Sequence, residues 1–223
     1  MLARRPLAAA ATAMTAALLA LTALSGCSSA TAASIAGVAK SSAAHEEHVA
    51  VIGDSIESGL GLDPSEAWPA LVAADHGWRL DNLSVPGAGF VAQGSDGHDF
   101  SAQVDAAIAA RPDLVLIGAS DNDLGTDPAE LSAAIHSTVD RLASALPDAR
   151  IAGFNALSGQ AGDDELAGGD DALRQAVIAA GGTWLDLGQP YRGKAGLVQD
   201  DDEHPTLPGQ QAIAAVVADK LKV

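Results

Sequence analysis

Ser55 lies in the segment Gly53-Asp54-Ser55-Ile56-Glu57-Ser58-Gly59, directly after the apolar run Val49-Ala50-Val51-Ile52. Far along the chain, His204 lies in Asp201-Asp202-Glu203-His204-Pro205, just ahead of the last stretch with helical spacing. A serine hydroxyl is a poor nucleophile at neutral pH; it needs a base within hydrogen-bond reach and a third group to orient that base. Ser55, His204 and Asp201 can supply those parts. A carboxylate three positions before His204 can return across one turn to one imidazole nitrogen and leave the other for the serine, whereas the adjacent Glu203 projects away. Two further segments carry groups of chemical interest, Asn82-Leu83-Ser84-Val85-Pro86-Gly87-Ala88-Gly89 and Ser120-Asp121-Asn122-Asp123-Leu124.

Taken singly, each segment has a plainer reading. Ser55 could cap the helix after the strand, Asp121 to Asp123 could form an Asx-rich loop, and the acids from Asp200 to Glu203 could be a solvated face. Asp54 reads as support for its turn rather than as a reacting group. Asp201, Asp202, Glu203 and His204 also look like a metal cluster, but no second histidine pair at ligand spacing joins them, so neither metal nor cofactor is expected. Gly87-Ala88-Gly89-Phe90-Val91-Ala92 mimics a dinucleotide fingerprint, yet it runs into the loop 93–97 instead of the helix a phosphate site requires. The pentapeptide G-x-S-x-G of α/β-hydrolases is absent.

These segments need elements to hold them. Short apolar runs at 49–52, 78–85, 114–117, 151–154 and 183–187 alternate with helical spacing at 65–75, 101–110, 128–146, 171–180 and 208–221. That βαβα rhythm predicts a three-layer α/β/α sandwich around a central, mostly parallel five-stranded sheet. The run Val115-Leu116-Ile117 is continuous rather than alternating, as in a strand covered on both faces. The stretch 159–171, rich in Gly, Asp and Glu, reads as a solvated loop. Open parallel sheets carry their sites beyond the carboxyl ends of the strands, which is where the four segments fall.

In this order, the four segments resemble the four blocks of the SGNH or GDSL hydrolase family, and the resemblance spans the chain from Val49 to its end. It implies a flavodoxin-like fold and a serine esterase that cleaves carboxylic esters through an acyl-enzyme, with Ser55 as nucleophile, His204 as base and Asp201 as acid. It implies an oxyanion hole formed by the backbone N–H groups of Ser55 and Gly87 and the side-chain amide of Asn122. Glycine at 87 also lets backbone come close to substrate. One departure stands out: the third block usually has Gly two residues before its Asn, and here Ser120 takes that place. Substrates within the family's range include lipids, small acyl esters and O-acetylated cell-wall sugars; a non-catalytic, substrate-binding protein on the same fold is the remaining alternative.

The amino terminus reads as an address. Arg4 and Arg5 precede an apolar run at 7–24 that ends in Leu24-Ser25-Gly26-Cys27, a secretory signal whose last four residues resemble the lipobox of bacterial lipoproteins. Cys27, the sole cysteine, sits where lipidation would need it and cannot form an intrachain disulfide. The expected organisation is a signal peptide at 1–26, a Ser/Ala/Thr-rich tether at 27–47 and one hydrolase domain at 48–223, exported and lipid-anchored to the cell membrane on its extracytoplasmic side. A net charge of −17 repels nucleic acid phosphates, so nucleic acid is not an expected partner. The expected partner is an ester substrate, and the expected state a monomer.

Overall fold

The computed structural model describes residues 46–221, so Cys27, the signal peptide and all of the expected tether but Glu46 and Glu47 lie outside the described residues. Glu47 is already tied to the domain: its carbonyl accepts from the Arg79 N–H at 2.9 Å and its carboxylate pairs with Arg150.

Five strands form the sheet: β1 (His48–Ile52), β2 (Arg79–Asn82), β3 (Leu114–Gly118), β4 (Arg150–Phe154) and β5 (Thr183–Leu185). All neighbouring pairs are parallel, in the order β2-β1-β3-β4-β5. Every residue of β1 and β3 is buried, as their continuous apolar sequences require of central strands covered on both faces. One face packs Ala50, Ile52, Val115 and Ile117 against α3 (Phe100–Ala110), α4 (Pro128–Ala145) and α5 (Asp163–Ala179). The other packs Val49, Val51, Leu114, Leu116 and Phe154 against α1 (Ser55–Ser58), α2 (Trp68–His76) and α6 (Leu207–Leu221). The architecture is the expected three-layer sandwich, and its sheet is wholly parallel.

One expectation fails. The stretch 159–171 is not a loop throughout, because α5 begins at Asp163. Its acidic residues Asp163, Asp164 and Glu165 occupy the first turn, where the exposed N–H groups of a helix favour negative charge. The Glu165 carboxylate also accepts from the Gly162 N–H at 2.8 Å. Residues that look like loop composition are here the electrostatic start of a helix.

Candidate active site

The turn after β1 presents Ser55 through a tightly capped helix of four residues. Asp54, not Ser55, is the cap: its Oδ1 accepts from the Ile56 N–H at 2.9 Å, while the Glu57 carboxylate accepts from the Asp54 N–H at 3.1 Å. Gly59 closes α1 in the left-handed conformation, with φ of 72°. Gly53 is required by space, since a Cβ there would meet the Glu57 side chain at 2.5 Å. With capping delegated to Asp54, the Ser55 hydroxyl is left for another partner.

That partner is His204. Its Nε2 stands 3.0 Å from Ser55 Oγ, and its Nδ1 stands 2.6 Å from Asp201 Oδ2. The other Asp201 oxygen accepts from the N–H groups of Glu203 and His204, both at 3.0 Å, so the three-residue return is locked by backbone as well as by the ring. These hydrogen bonds, the one from the His204 ring first, hold the Asp201 carboxyl down at about 2, ionised at any working pH. A carboxylate facing Nδ1 places the ring proton there and leaves Nε2 as the acceptor turned to the serine.

Glu203 does project away from His204, and it has a use that its sequence position does not reveal. Its carboxylate accepts from the Ser158 hydroxyl and the N–H groups of Gly159 and Gln160, at 3.1, 2.9 and 3.0 Å, fixing the loop after β4. Asp201 and Glu203 therefore diverge, and among the described residues no group of three or more His, Cys, Asp and Glu side chains is arranged to hold a metal.

The residues matched to the oxyanion hole lie in three separate turns. Ser55 opens α1, so its N–H has no acceptor within the helix. Gly87 has φ of 81°, and the nearest atom to a Cβ built there is 3.7 Å away, so backbone conformation rather than crowding demands glycine. Asn122 lies in the 3-10 turn Asp121–Asp123. Its amide nitrogen is 3.0 Å from Ser120 Oγ and 3.3 Å from both Asp54 Oδ2 and the Ala88 carbonyl.

Nothing in the sequence marks Asp123 for a separate role. It is buried, and its carboxylate accepts from three successive N–H groups, Phe90 at 2.7 Å and Val91 and Ala92 at 2.9 Å. The segment that mimics a dinucleotide fingerprint is thus a genuine backbone anion nest whose anion is the chain's own side chain. Gly89 is needed because a Cβ there would fall 2.5 Å from that carboxylate. Beneath the site, burial pushes the carboxyls of Asp54 and Glu57 up. Asp121 is pushed up to about 7 by burial first and by Asp54 and Glu203 in addition.

A serine, a histidine and an aspartate joined at the carboxyl edge of a parallel sheet belong to the chemistry of hydrolases. The chain belongs to the GDSL-like lipase/acylhydrolase family, whose family model matches residues 51–212, and it is an ester-bond hydrolase. No curated protein matches it. Among solved structures it resembles TesA, with 27% identity and a TM-score of 0.61 over 79% of this chain and 98% of that one. The psychrotrophic esterase EstA from Pseudoalteromonas sp. shares its fold, with 21% identity and a TM-score of 0.64 over 79% and 97%. So does a family two carbohydrate esterase from Clostridium thermocellum, solved in complex with cellohexaose, with 16% identity and a TM-score of 0.66 over 79% and 64%.

Proposed function

We propose that this hydrolase cleaves carboxylic esters through an acyl-enzyme on Ser55. The observation that carries the reading is the continuous contact from Ser55 Oγ to His204 Nε2 at 3.0 Å and from His204 Nδ1 to Asp201 at 2.6 Å. Ser55 Oγ attacks the ester carbonyl carbon as its proton passes to His204 Nε2. The carbonyl oxygen becomes an oxyanion, which the N–H groups of Ser55 and Gly87 and the amide of Asn122 receive. Collapse breaks the carbon–oxygen bond, and His204 returns the proton to the leaving alcohol. Water, deprotonated by the same nitrogen, then releases the acid and restores the serine. Asp201 holds the ring and stabilises the imidazolium without taking the proton.

The acyl group is proposed to be apolar. Leu60 and Leu124 are 43% and 45% exposed, each just beyond one of the turns that carry site residues, and the Leu60 N–H donates to the Ser55 carbonyl at 3.0 Å. Most of the few aromatic rings, Trp68, Phe90, Phe100, Phe154 and Tyr191, are buried in the core, which leaves little surface for stacking sugars. The alternative, deacetylation of cell-wall carbohydrate, draws support from the carbohydrate esterases among the structural neighbours. A panel of p-nitrophenyl esters from about C2 to C16 and acetylated glycans separates the two. Ser55→Ala should lose on the order of a millionfold in turnover while folding normally. A phosphonate should add mass at Ser55 alone, and a folded Ser55→Ala variant that keeps ester hydrolysis near wild type refutes the reading.

The sequence alone supports the rest: a signal peptide at 1–26, lipidation of Cys27, a tether at 27–47 and a monomeric domain at 48–223 held at the outer face of the cell membrane.

A further inference from the structure

Ser120 stands where the family pattern usually has glycine, so nothing in the general chemistry of the fold requires its hydroxyl. The hydroxyl is nevertheless at the junction of three segments of the site. Ser120 is buried, and its Oγ lies 2.6 Å from Asp54 Oδ2, 3.0 Å from the Ala88 carbonyl, 3.0 Å from Asn122 Nδ2 and 3.2 Å from the Asn122 backbone nitrogen. We propose that Ser120 is a positioning residue for the ester hydrolysis proposed above, on which this inference rests: its hydroxyl fixes the Asn122 amide as an oxyanion donor and ties it to the nucleophile turn through Asp54.

Counting protons shows why the arrangement is directional. A serine hydroxyl has one proton to give and room to accept two. Of its two acceptors, Asp54 Oδ2 is the closer, at 2.6 Å against 3.0 Å for the Ala88 carbonyl, and a hydroxyl donated there offsets part of the cost that burial imposes on the Asp54 carboxylate, so Asp54 takes the proton. Both lone pairs then face the two Asn122 donors, the backbone N–H and one amide N–H. That orients the amide with nitrogen rather than oxygen inward and occupies only one of its two protons. The second meets nothing nearer than the 3.3 Å contacts to Asp54 Oδ2 and the Ala88 carbonyl, so it is the proton an incoming oxyanion can claim with little loss.

The same Asp54 caps α1 through its other oxygen, at 2.9 Å from the Ile56 N–H. A single side chain therefore spaces the oxyanion donor against the turn that presents Ser55. Without the hydroxyl, the amide would keep only its two 3.3 Å contacts, and Asp54 Oδ2 would lose its shortest donor in a buried setting. Placement errors of this kind act on the transition state, where the oxyanion forms, and leave ground-state binding nearly unchanged.

The test is a double-mutant cycle on p-nitrophenyl acetate with Ser120→Ala, Asn122→Ala and the pair, each checked by thermal melting and by phosphonate labelling of Ser55. Ser120→Ala should lower kcat roughly ten- to thirtyfold with KM within about twofold, and in the Asn122→Ala background the same change should cost less than about threefold. Should Ser120→Ala melt, Ser120→Gly, which installs the residue of the family pattern, gives the same comparison. Equal losses in both backgrounds, a loss confined to KM, no loss at all, or failure of both variants to fold each overturns the proposal. If wild type itself takes no phosphonate at Ser55, the hydrolytic reading fails; if it does and the cycle is additive, only the role of Ser120 fails.

Discussion

Replacing Asp201 by its amide removes one property of the site and keeps nearly all the others. The amide retains an oxygen for the N–H groups of Glu203 and His204, which Asp201 Oδ1 now accepts at 3.0 Å. What changes is the atom facing His204 Nδ1 at 2.6 Å, where a carboxylate oxygen becomes an amide N–H. Two donors cannot share that contact, so the ring shifts its proton to Nε2, the nitrogen 3.0 Å from Ser55 Oγ. On the proposed mechanism, His204 then presents a proton to Ser55 instead of a lone pair. In a comparable triad this wrong tautomer costs about ten-thousandfold in kcat, or about 5.5 kcal/mol at about 1.36 kcal/mol per decade. That is an upper bound here, because the Asp201 side chain is 49% exposed and water can take over part of the orienting role. The expectation is an ordering: Asp201→Asn should be at least about tenfold worse in kcat/KM than Asp200→Asn, Asp202→Asn or Glu203→Gln, on one short ester near pH 8. Glu203→Gln should instead register in the melting temperature, since a neutral amide holds the Ser158, Gly159 and Gln160 donors less well than a carboxylate does. If Asp202→Asn proves the most damaging, the assignment of the orienting acid is wrong even though Ser55 and His204 stand.

Asn122→Ala should cost roughly a hundred- to a thousandfold in kcat on the same ester, and a loss below about threefold makes Asn122 a structural loop residue. Asp170, whose Oδ1 accepts from the Ala156 N–H at 2.7 Å, is pushed up to about 6, by burial first. A folded value above the unfolded one, about 3.9, means that its stabilising contribution is full below about pH 4 and lost as pH rises through about 6. Asp170→Asn, which keeps the acceptor, should therefore melt above wild type at pH 8, by up to about 6–11 °C and by less as the partly exposed group is screened by solvent, with the gap closing by about pH 4; an equal gap at both pH values refutes this. Cys27→Ser should move the protein from membrane to soluble fractions with its activity unchanged, and intact mass showing a mature start beyond Cys27 rules out the anchor.

The strands were legible because β1 and β3, buried on both faces, can be built from little but Val, Ile, Leu and Ala. The start of α5 was not, because Gly162-Asp163-Asp164-Glu165 has loop composition and becomes helical through its first-turn charges and the Glu165 cap. Asp201 and His204 could be paired from spacing because their contact is local, three residues apart. The partners of Glu203 lie 43 to 45 residues away, those of Asp123 31 to 33, and that of Ser120 on Asp54 66. Spacing encodes nothing about such contacts; the order of the strands decides them.

That difference bears on how the site keeps its geometry. The turns after β1 and β3 and the loop before α6 are separate pieces of chain, and no repeating backbone ladder joins them. Buried and half-buried carboxyls and hydroxyls do that work instead: Ser120 joins Asp54 to Asn122, Asp123 gathers the N–H groups of residues 90 to 92, and the half-buried Glu203 gathers those of Gly159 and Gln160. Each acid is costly to bury and is kept where donors from another segment satisfy it. The consequence is a crowd of carboxyls near Ser55: burial raises Asp54, Glu57 and Asp121, with the charge of Glu57 adding to the rise at Asp54 and those of Asp54 and Glu203 adding to it at Asp121. With Asp121 at about 7, that crowd takes up or releases a proton near neutrality. Removing one of its carboxylates by Glu203→Gln should shift Asp121 downward, because a neighbouring negative charge no longer opposes its ionisation. A carboxyl titration followed by infrared difference spectroscopy, with Asp121→Asn as the blank, reads that shift directly. An unchanged midpoint in Glu203→Gln would mean that the two acids do not sense each other, and that the loops bearing Asn122 and His204 are not electrostatically linked.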